Sequence, residues 1–147
     1  MGRVSDSFDP DRFVTAQDRD GTYAAALAEL RAGHKRSHWM WFVFPQIAGL
    51  GRSGTAEHFA IADLDAARAY LGHPVLGPRL RECAEALTAL PGTDPVQVLG
   101  PVDAMKLRSS MTLFAHAATD PDTRRLFRSV LEQYYAGQED PATTTRL

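Results

Sequence analysis

Two polar segments of this chain carry side chains suited to acid–base and anion-binding chemistry. Residues 35–46 (KRSHWMWFVFPQ) place two cations and a histidine directly before the densest aromatic cluster, and residues 106–114 (KLRSSMTLF) place two cations beside two serines. Aromatic rings bury large areas and stack on planar groups, whereas cations with neighbouring hydroxyls bind phosphate. This composition is typical of the wall of a pocket.

His38 is the candidate catalytic residue, as a general acid or base, because histidine titrates near neutral pH without perturbation. Lys35 and Arg36 are expected to keep its imidazole neutral by charge repulsion, and a neutral imidazole can accept a proton. Lys35 itself is expected to be exposed on the approach to the aromatic cluster. The alternative is that His38 is structural and bonds a backbone carbonyl at the edge of the core.

Lys106, Arg108, Ser109 and Ser110 are candidate ligand-binding residues on a predicted helix. Successive helical residues rotate by about 100°, so Lys106 and Arg108 lie on opposite flanks of the apolar face, and both serines lie within about 60° of Lys106. We expect Lys106 to meet a phosphate with Ser109 or Ser110, while Arg108 reaches the aromatic cluster or a second acidic group. The alternative is a helix surface with solvated charges.

Four further residues are candidate ligand contacts: Trp39, Trp41, Gln46 and Arg52. The two tryptophans lie about 200° apart on a helix, so one of them belongs to the core and the other is a stacking wall for a planar ligand. Gln46 either reads an amide or nucleobase edge or caps a loop. Arg52 lies in a glycine-rich loop, residues 49–54, that forms either an anion-binding nest or a flexible connection.

Neither a metal site nor a cofactor is predicted. His34 and His38 have the i, i+4 spacing of a helical zinc site, but Gly33 between helix and histidines indicates that the helix has already ended. Cys83, the single cysteine of the chain, falls within an apolar helical stripe. We therefore expect a buried and chemically inert thiol.

Composition limits the class of protein. A length of 147 residues predicts a single domain over 1–147, with a flexible N-terminus at about residues 1–8. A formal charge of −2 disfavours a nucleic-acid partner, and one cysteine fits a reducing, cytoplasmic compartment. No apolar stretch has the length of a membrane span or a signal sequence, so no membrane association is expected.

Apolar spacing predicts an all-α globule of six to eight helices with short connections. Helical patterns cover residues 10–17, 23–32, 39–44, 64–71, 74–90, 103–118 and 122–135, with a short helix at 55–59, a single turn at 96–99 and a last capped turn within 140–147. No alternation of strands and helices is visible.

Several blocks of the sequence together resemble the DUF1810 family, a group of small, mainly helical bacterial proteins of uncharacterised function. They are RFVTAQ (12–17), SHWMWFVFPQ (37–46), GLG (49–51), AIA (60–62), HPVLG (73–77) and KLRSSMTLF (106–114). The resemblance extends over nearly the whole chain. It implies a helical fold and a bacterial, intracellular setting, and it implies no activity.

The leading hypothesis is that the domain binds a small planar metabolite that carries phosphate, such as a nucleotide derivative, with its hydrolysis as an open extension of the same hypothesis. Whether the protein is an enzyme stays open at this point, as does its oligomeric state. The alternative is a non-enzymatic helical interaction module with the aromatic cluster as core or partner groove. Convergence of His38, Lys106 and Arg108 on one cavity would favour the first hypothesis.

Overall fold

The computed structural model describes residues 8–147, and helices dominate it. In chain order the helices are α1 (Asp11–Asp18), α2 (Thr22–Ala32), α3 (Met40–Val43), α4 (Gly54–His58), α5 (Leu64–Gly72), α6 (Leu76–Ala89), α7 (Pro95–Leu99), α8 (Pro101–Ala117), α9 (Pro121–Tyr135) and α10 (Pro141–Thr144). Within residues 8–147 the extended pairing consists of one isolated parallel bridge between Ile47 and Ile61. The predicted all-α fold class is therefore confirmed.

Side-chain caps set where many of the helices begin, because the first N–H groups of a helix have no partner inside it. Capping side chains precede five helices, at Ser53, Asp63, Asp94, Asp120 and Asp140. The turn at residues 140–144 was predicted from the same pattern. Gly33, with φ of 75°, ends α2 in the left-handed conformation that glycine adopts without strain.

The core is built around α8, which packs against α5, α7, α9 and α10. Leu107, Met111 and Phe114 form its buried stripe. The Phe114 ring lies 5.2 Å from the ring of Tyr70 on α5. As predicted from its helical stripe, Cys83 of α6 is fully buried. Near the start of α8, Val102 and Met105 remain exposed on the opposite face.

Hydrogen bonds beside the Ile47–Ile61 bridge and from the C-terminal segment hold the loop that follows Gln46 in place. Ile61 donates its N–H to the Gln46 carbonyl at 2.9 Å, and Arg146 donates to the carbonyl of Gly49 at 3.4 Å. Arg12 of α1 also donates to the carbonyls of His58 and Ala60. Loop and C-terminal segment are thus joined by side chains rather than by a sheet.

The predicted flexible segment, residues 1–8, lies outside the described residues except for Phe8. The Phe8 ring packs against Phe13, with 6.0 Å between the ring centroids. Residue 8 therefore belongs to the packed part of the fold.

Candidate functional site

A cavity of about 360 Å³ lies between α8, the loop after Gln46 and the C-terminal segment. Four of the residues predicted from sequence line it, namely Gln46, Lys106, Arg108 and Ser109. Leu50, Val102 and Met105 supply apolar walls. The two cations and the hydroxyl thus share one concave surface with apolar side chains.

The helical geometry of α8 explains how Lys106 and Arg108 reach the same cavity from opposite flanks. The cavity covers the face about 180° from the buried stripe, because Met105 is separated from Leu107 by about 200° of rotation. Val102 and Met105 lie on this face and are 65% and 73% exposed. Lys106 borders the face on one side and Arg108 on the other.

Lys106 is held in place by an aromatic ring and a carboxylate. Its Nζ lies 4.6 Å from the centroid of the Trp41 ring and 3.8 Å from Asp103 Oδ1. The other oxygen of Asp103 lies 2.9 Å from Lys35 Nζ, and the Lys35 side chain is only 9% exposed. The expectation that Lys35 is exposed is therefore wrong, since its ammonium is buried against Asp103 and the ring of Trp39.

Arg108 binds backbone rather than the aromatic cluster or a second acidic group that the sequence led us to expect. Its Nε donates to the carbonyl of Gln138 at 3.0 Å, and its Nη2 donates to the carbonyl of Glu139 at 2.7 Å. The chain after α9 turns back along α8, which brings these carbonyls within reach. Its Nη1 makes no hydrogen bond with any residue in the described range 8–147.

Ser109 connects the helix to Asp140, the residue that caps α10. The Ser109 hydroxyl donates to Asp140 Oδ2 at 2.7 Å, and the Thr143 hydroxyl donates to the same oxygen at 2.6 Å. Burial raises the pKa of Asp140, but these bonds, the Ala142 N–H and the charge of Arg108 outweigh it and hold that pKa below its usual value. The cavity therefore contains an ionised carboxylate.

Ser110 and Trp39 are placed in the core and cannot contact a ligand. The Ser110 hydroxyl is buried and has no hydrogen-bond partner among residues 8–147. Trp39 is fully buried, whereas Trp41 is half-buried and contacts Lys106. The prediction that one tryptophan belongs to the core is met by Trp39, and the assignment of Ser110 as a ligand contact is corrected by its burial.

His38 and Arg52 are exposed and do not line the cavity. The proposed convergence of His38 with Lys106 and Arg108 is thus not found, because Trp39 turns inward beside Glu29 while His38 turns outward. Arg52 is likewise separate from the two cations, since the loop contributes Leu50 and Gly51 to the cavity instead.

Sequence reasoning missed Val102, Met105 and Asp140 as parts of this site. The sequence did contain a signal for Val102 and Met105. Both are apolar and lie opposite the buried stripe of α8, where a helix that faces solvent would carry polar residues. No comparable signal marked Asp140, whose place in the cavity depends on the chain turning back after α9.

No group of three or more His, Cys, Asp or Glu side chains within residues 8–147 is arranged to hold a metal ion. None of the helices in that range combines the length and the apolar character needed to cross a bilayer.

Comparison with known proteins identifies a family that matches the chain. The sequence profile of DUF1810, described as a protein of unknown function, matches residues 7–147. The chain is also similar to a solved structure, the conserved hypothetical protein Rv1873 from Mycobacterium tuberculosis. The two share 48% sequence identity with a TM-score of 0.89, over 95% of this chain and 96% of that one. No curated protein matches the chain.

Proposed function

The chain belongs to the DUF1810 family, and we propose that it binds a small phosphate-bearing metabolite with a planar body in the cavity beside α8. One observation carries this proposal: Lys106, Arg108 and Ser109 line the same cavity as the exposed side chains of Val102 and Met105. Cations suit a phosphate, and an apolar wall suits the face of a ring. Ser109 donates its proton to Asp140 and thereby positions that carboxylate in the cavity.

The size of the cavity supports a metabolite as the ligand. Small-molecule pockets measure about 300–1,000 Å³, and the cavity of about 360 Å³ lies at the lower end of that range. Within it, Lys106 and Arg108 bind the phosphate, Met105 and Val102 contact the planar body, and the Gln46 amide is placed to hydrogen-bond a heteroatom edge.

We propose binding without hydrolysis. His38, the acid–base group expected from the sequence, does not line the cavity. Asp140 is ionised, and both of its oxygens already accept hydrogen bonds, so it has no proton to deliver to a leaving group.

A cytoplasmic, bacterial setting is part of the same proposal. It is supported by the single, buried, free cysteine, which suits a reducing compartment, and by the bacterial source of the similar solved structure.

The test is a titration with adenosine monophosphate, in which isothermal titration calorimetry and tryptophan fluorescence measure binding. Lys106→Met keeps the apolar stem over Trp41 but removes the charge, so it should weaken binding at least tenfold. Arg125→Ala removes a cation from the exposed surface of α9 and should leave the affinity unchanged. Equal weakening in both variants would indicate general charge attraction and contradict the proposal.

Trp41 provides a second readout of the same event. A phosphate that draws the Lys106 ammonium away from the ring should change the fluorescence of Trp41, and Trp41→Phe should abolish that change. Trp39 is buried against Glu29 and is expected to give a constant background.

The second candidate function is docking of a partner protein on the same face. The exposure of Val102 and Met105 favours it, because large apolar side chains exposed side by side often mark interaction surfaces. Failure of the nucleotide to bind at millimolar concentration would leave this candidate in place of the first.

A further inference from the structure

We infer that the cavity selects a ligand with one terminal phosphate, a phosphate monoester, and discriminates against di- and triphosphates. The inference rests on the proposed function, since it concerns the charge of the ligand that the cavity accepts. Three features carry it: the net charge of the residues that line the cavity, the position of Asp140, and the N–H groups of Arg108 that make no hydrogen bond to the backbone of residues 8–147.

The charge balance around the cavity is small. Among the residues that line the cavity, Lys106 and Arg108 are cations and Asp140 is a carboxylate, which leaves one net positive charge. Lys35 and Asp103, which lie behind Lys106, cancel each other. Asp103 is shared, since it lies 2.9 Å from Lys35 Nζ and 3.8 Å from Lys106 Nζ. A monoester with a charge near −1.5 to −2 leaves an excess of at most about one negative charge, whereas each further phosphate adds negative charge that the site does not neutralise.

Asp140 cannot turn away from an approaching anion. Its Oδ2 accepts bonds from Ser109 and Thr143, its Oδ1 accepts the Ala142 N–H, and its own N–H donates to Thr112 Oγ1. These bonds attach both the side chain and the backbone to α8 and α10. A phosphate beyond the one held by Lys106 and Arg108 therefore meets this fixed like charge without a further cation of the cavity lining to offset it, which disfavours binding.

Arg108, the arginine that lines the cavity, offers one edge of its guanidinium that bonds no residue in the range 8–147. In Arg108 the Nε and Nη2 groups bond the carbonyls of Gln138 and Glu139, so the remaining donors are on the Nη1 side. A planar guanidinium presents such an edge to one anionic group at a time. Arg146 of the C-terminal turn donates to the carbonyls of Ala142 and Gly49 instead.

The experiment compares adenosine mono-, di- and triphosphate by calorimetry on the full chain at 150 mM salt without divalent metal. We expect the monophosphate to bind at least tenfold more tightly than the triphosphate. Gln46→Lys adds a cation at the cavity wall and should narrow that ratio. Gln46→Met removes the amide that contacts the planar body shared by all three nucleotides, so it should weaken them alike and leave the ratio as in the wild type.

The outcomes separate this inference from the function it rests on. Triphosphate binding that equals or exceeds monophosphate binding, and that is lost in Lys106→Met, would overturn the inference and leave the proposed function standing. Absence of binding by all three nucleotides would overturn both. The wild-type series decides the question even if Gln46→Lys fails to fold.

Discussion

The carboxylate of Glu29 on α2 accepts a hydrogen bond of 2.8 Å from the indole Nε1 of Trp39. The same carboxylate accepts bonds from the backbone N–H groups of Arg36 and Ser37 and from the Ser37 hydroxyl. Burial opposes ionisation of Glu29, but these hydrogen bonds outweigh it and lower its pKa to about 2. One carboxylate thereby fixes the segment that leads into α3.

Replacing Glu29 with Gln should reduce the free energy of unfolding by about 2 kcal/mol, because hydrogen bonds to a charged acceptor contribute about 1.5–3 kcal/mol and solvent screens part of that. Urea denaturation measures the change. Glu85→Gln, on the exposed surface of α6, is the matched control and should differ from the wild type by less than about 0.5 kcal/mol. Equal effects of the two substitutions would contradict the role assigned to Glu29.

The same carboxylate predicts a pH dependence. Its pKa is lower in the folded chain than its ordinary value of 4.5, so the unfolded state binds a proton first as the pH falls. The stabilisation by Glu29 is therefore complete above about 4.5 and is lost as the pH falls to about 2. The difference in unfolding free energy between wild type and Glu29→Gln should narrow over this window. A difference that stays constant down to pH 2 would contradict the assignment.

The sequence made His38 of this segment look functional, whereas the structure shows that Glu29 on α2 holds the residues around it in place. Helical periodicity is local, so it located most of the helices and the buried stripe that contains Cys83. The partner of Ser37 and Trp39 is a glutamate on another helix, and no local pattern distinguishes it from the solvated acids of the chain. Such tertiary pairings lie beyond a single sequence.

Cys83 should behave as an inert core thiol. Burial is the main cause that raises its pKa to about 12, so little thiolate exists at neutral pH. A bulky maleimide at pH 7.5 should label the native protein at least tenfold more slowly than the urea-denatured protein. Cys83→Ser should cost about 1–3 kcal/mol of stability, because it buries a hydroxyl, and should leave nucleotide affinity unchanged. Rapid labelling of the native thiol would contradict its burial.

Gly77 marks a close approach between α5 and α6. A Cβ built on Gly77 would lie 2.1 Å from the carbonyl oxygen of Leu71, which is backbone and cannot rotate away. Gly77→Ala should therefore destabilise the fold by more than about 3 kcal/mol, in the range of severe overpacking. Gly72→Ala is the matched control, since a Cβ there meets nothing within 4 Å. Thermal melting compares the two, and similar melting temperatures would show that α5 and α6 can move apart without cost.

Part of the candidate site could be predicted from the sequence, because three of its residues lie on one helix. Lys106, Arg108 and Ser109 belong to one helix, and helical rotation alone fixes their relative directions. The same rotation placed Ser110 near Lys106 but gave no information on what covers that face, which turned out to be the core. The contribution of Asp140 depends on the fold of the C-terminal segment, a tertiary event.

The adjacent hydroxyls of Ser109 and Ser110 should respond to alanine with opposite signs. Ser109 donates to the ionised Asp140, so Ser109→Ala should lower the free energy of unfolding by about 1–2 kcal/mol. Ser110 buries a hydroxyl without a partner among residues 8–147, and Ser110→Ala should raise it by about 1 kcal/mol, since an unpaired buried hydroxyl is unfavourable.

Chemical denaturation measures both stabilities, and titration with adenosine monophosphate measures the effect on binding. Ser109 lines the cavity and holds Asp140 there, whereas Ser110 does neither, so we expect Ser109→Ala to change the affinity and Ser110→Ala to leave it unchanged. If Ser110→Ala lowered stability as much as Ser109→Ala, its hydroxyl would have to donate to a carbonyl of the preceding turn. If it weakened binding instead, the face of α8 that meets the ligand would be the one assigned here to the core.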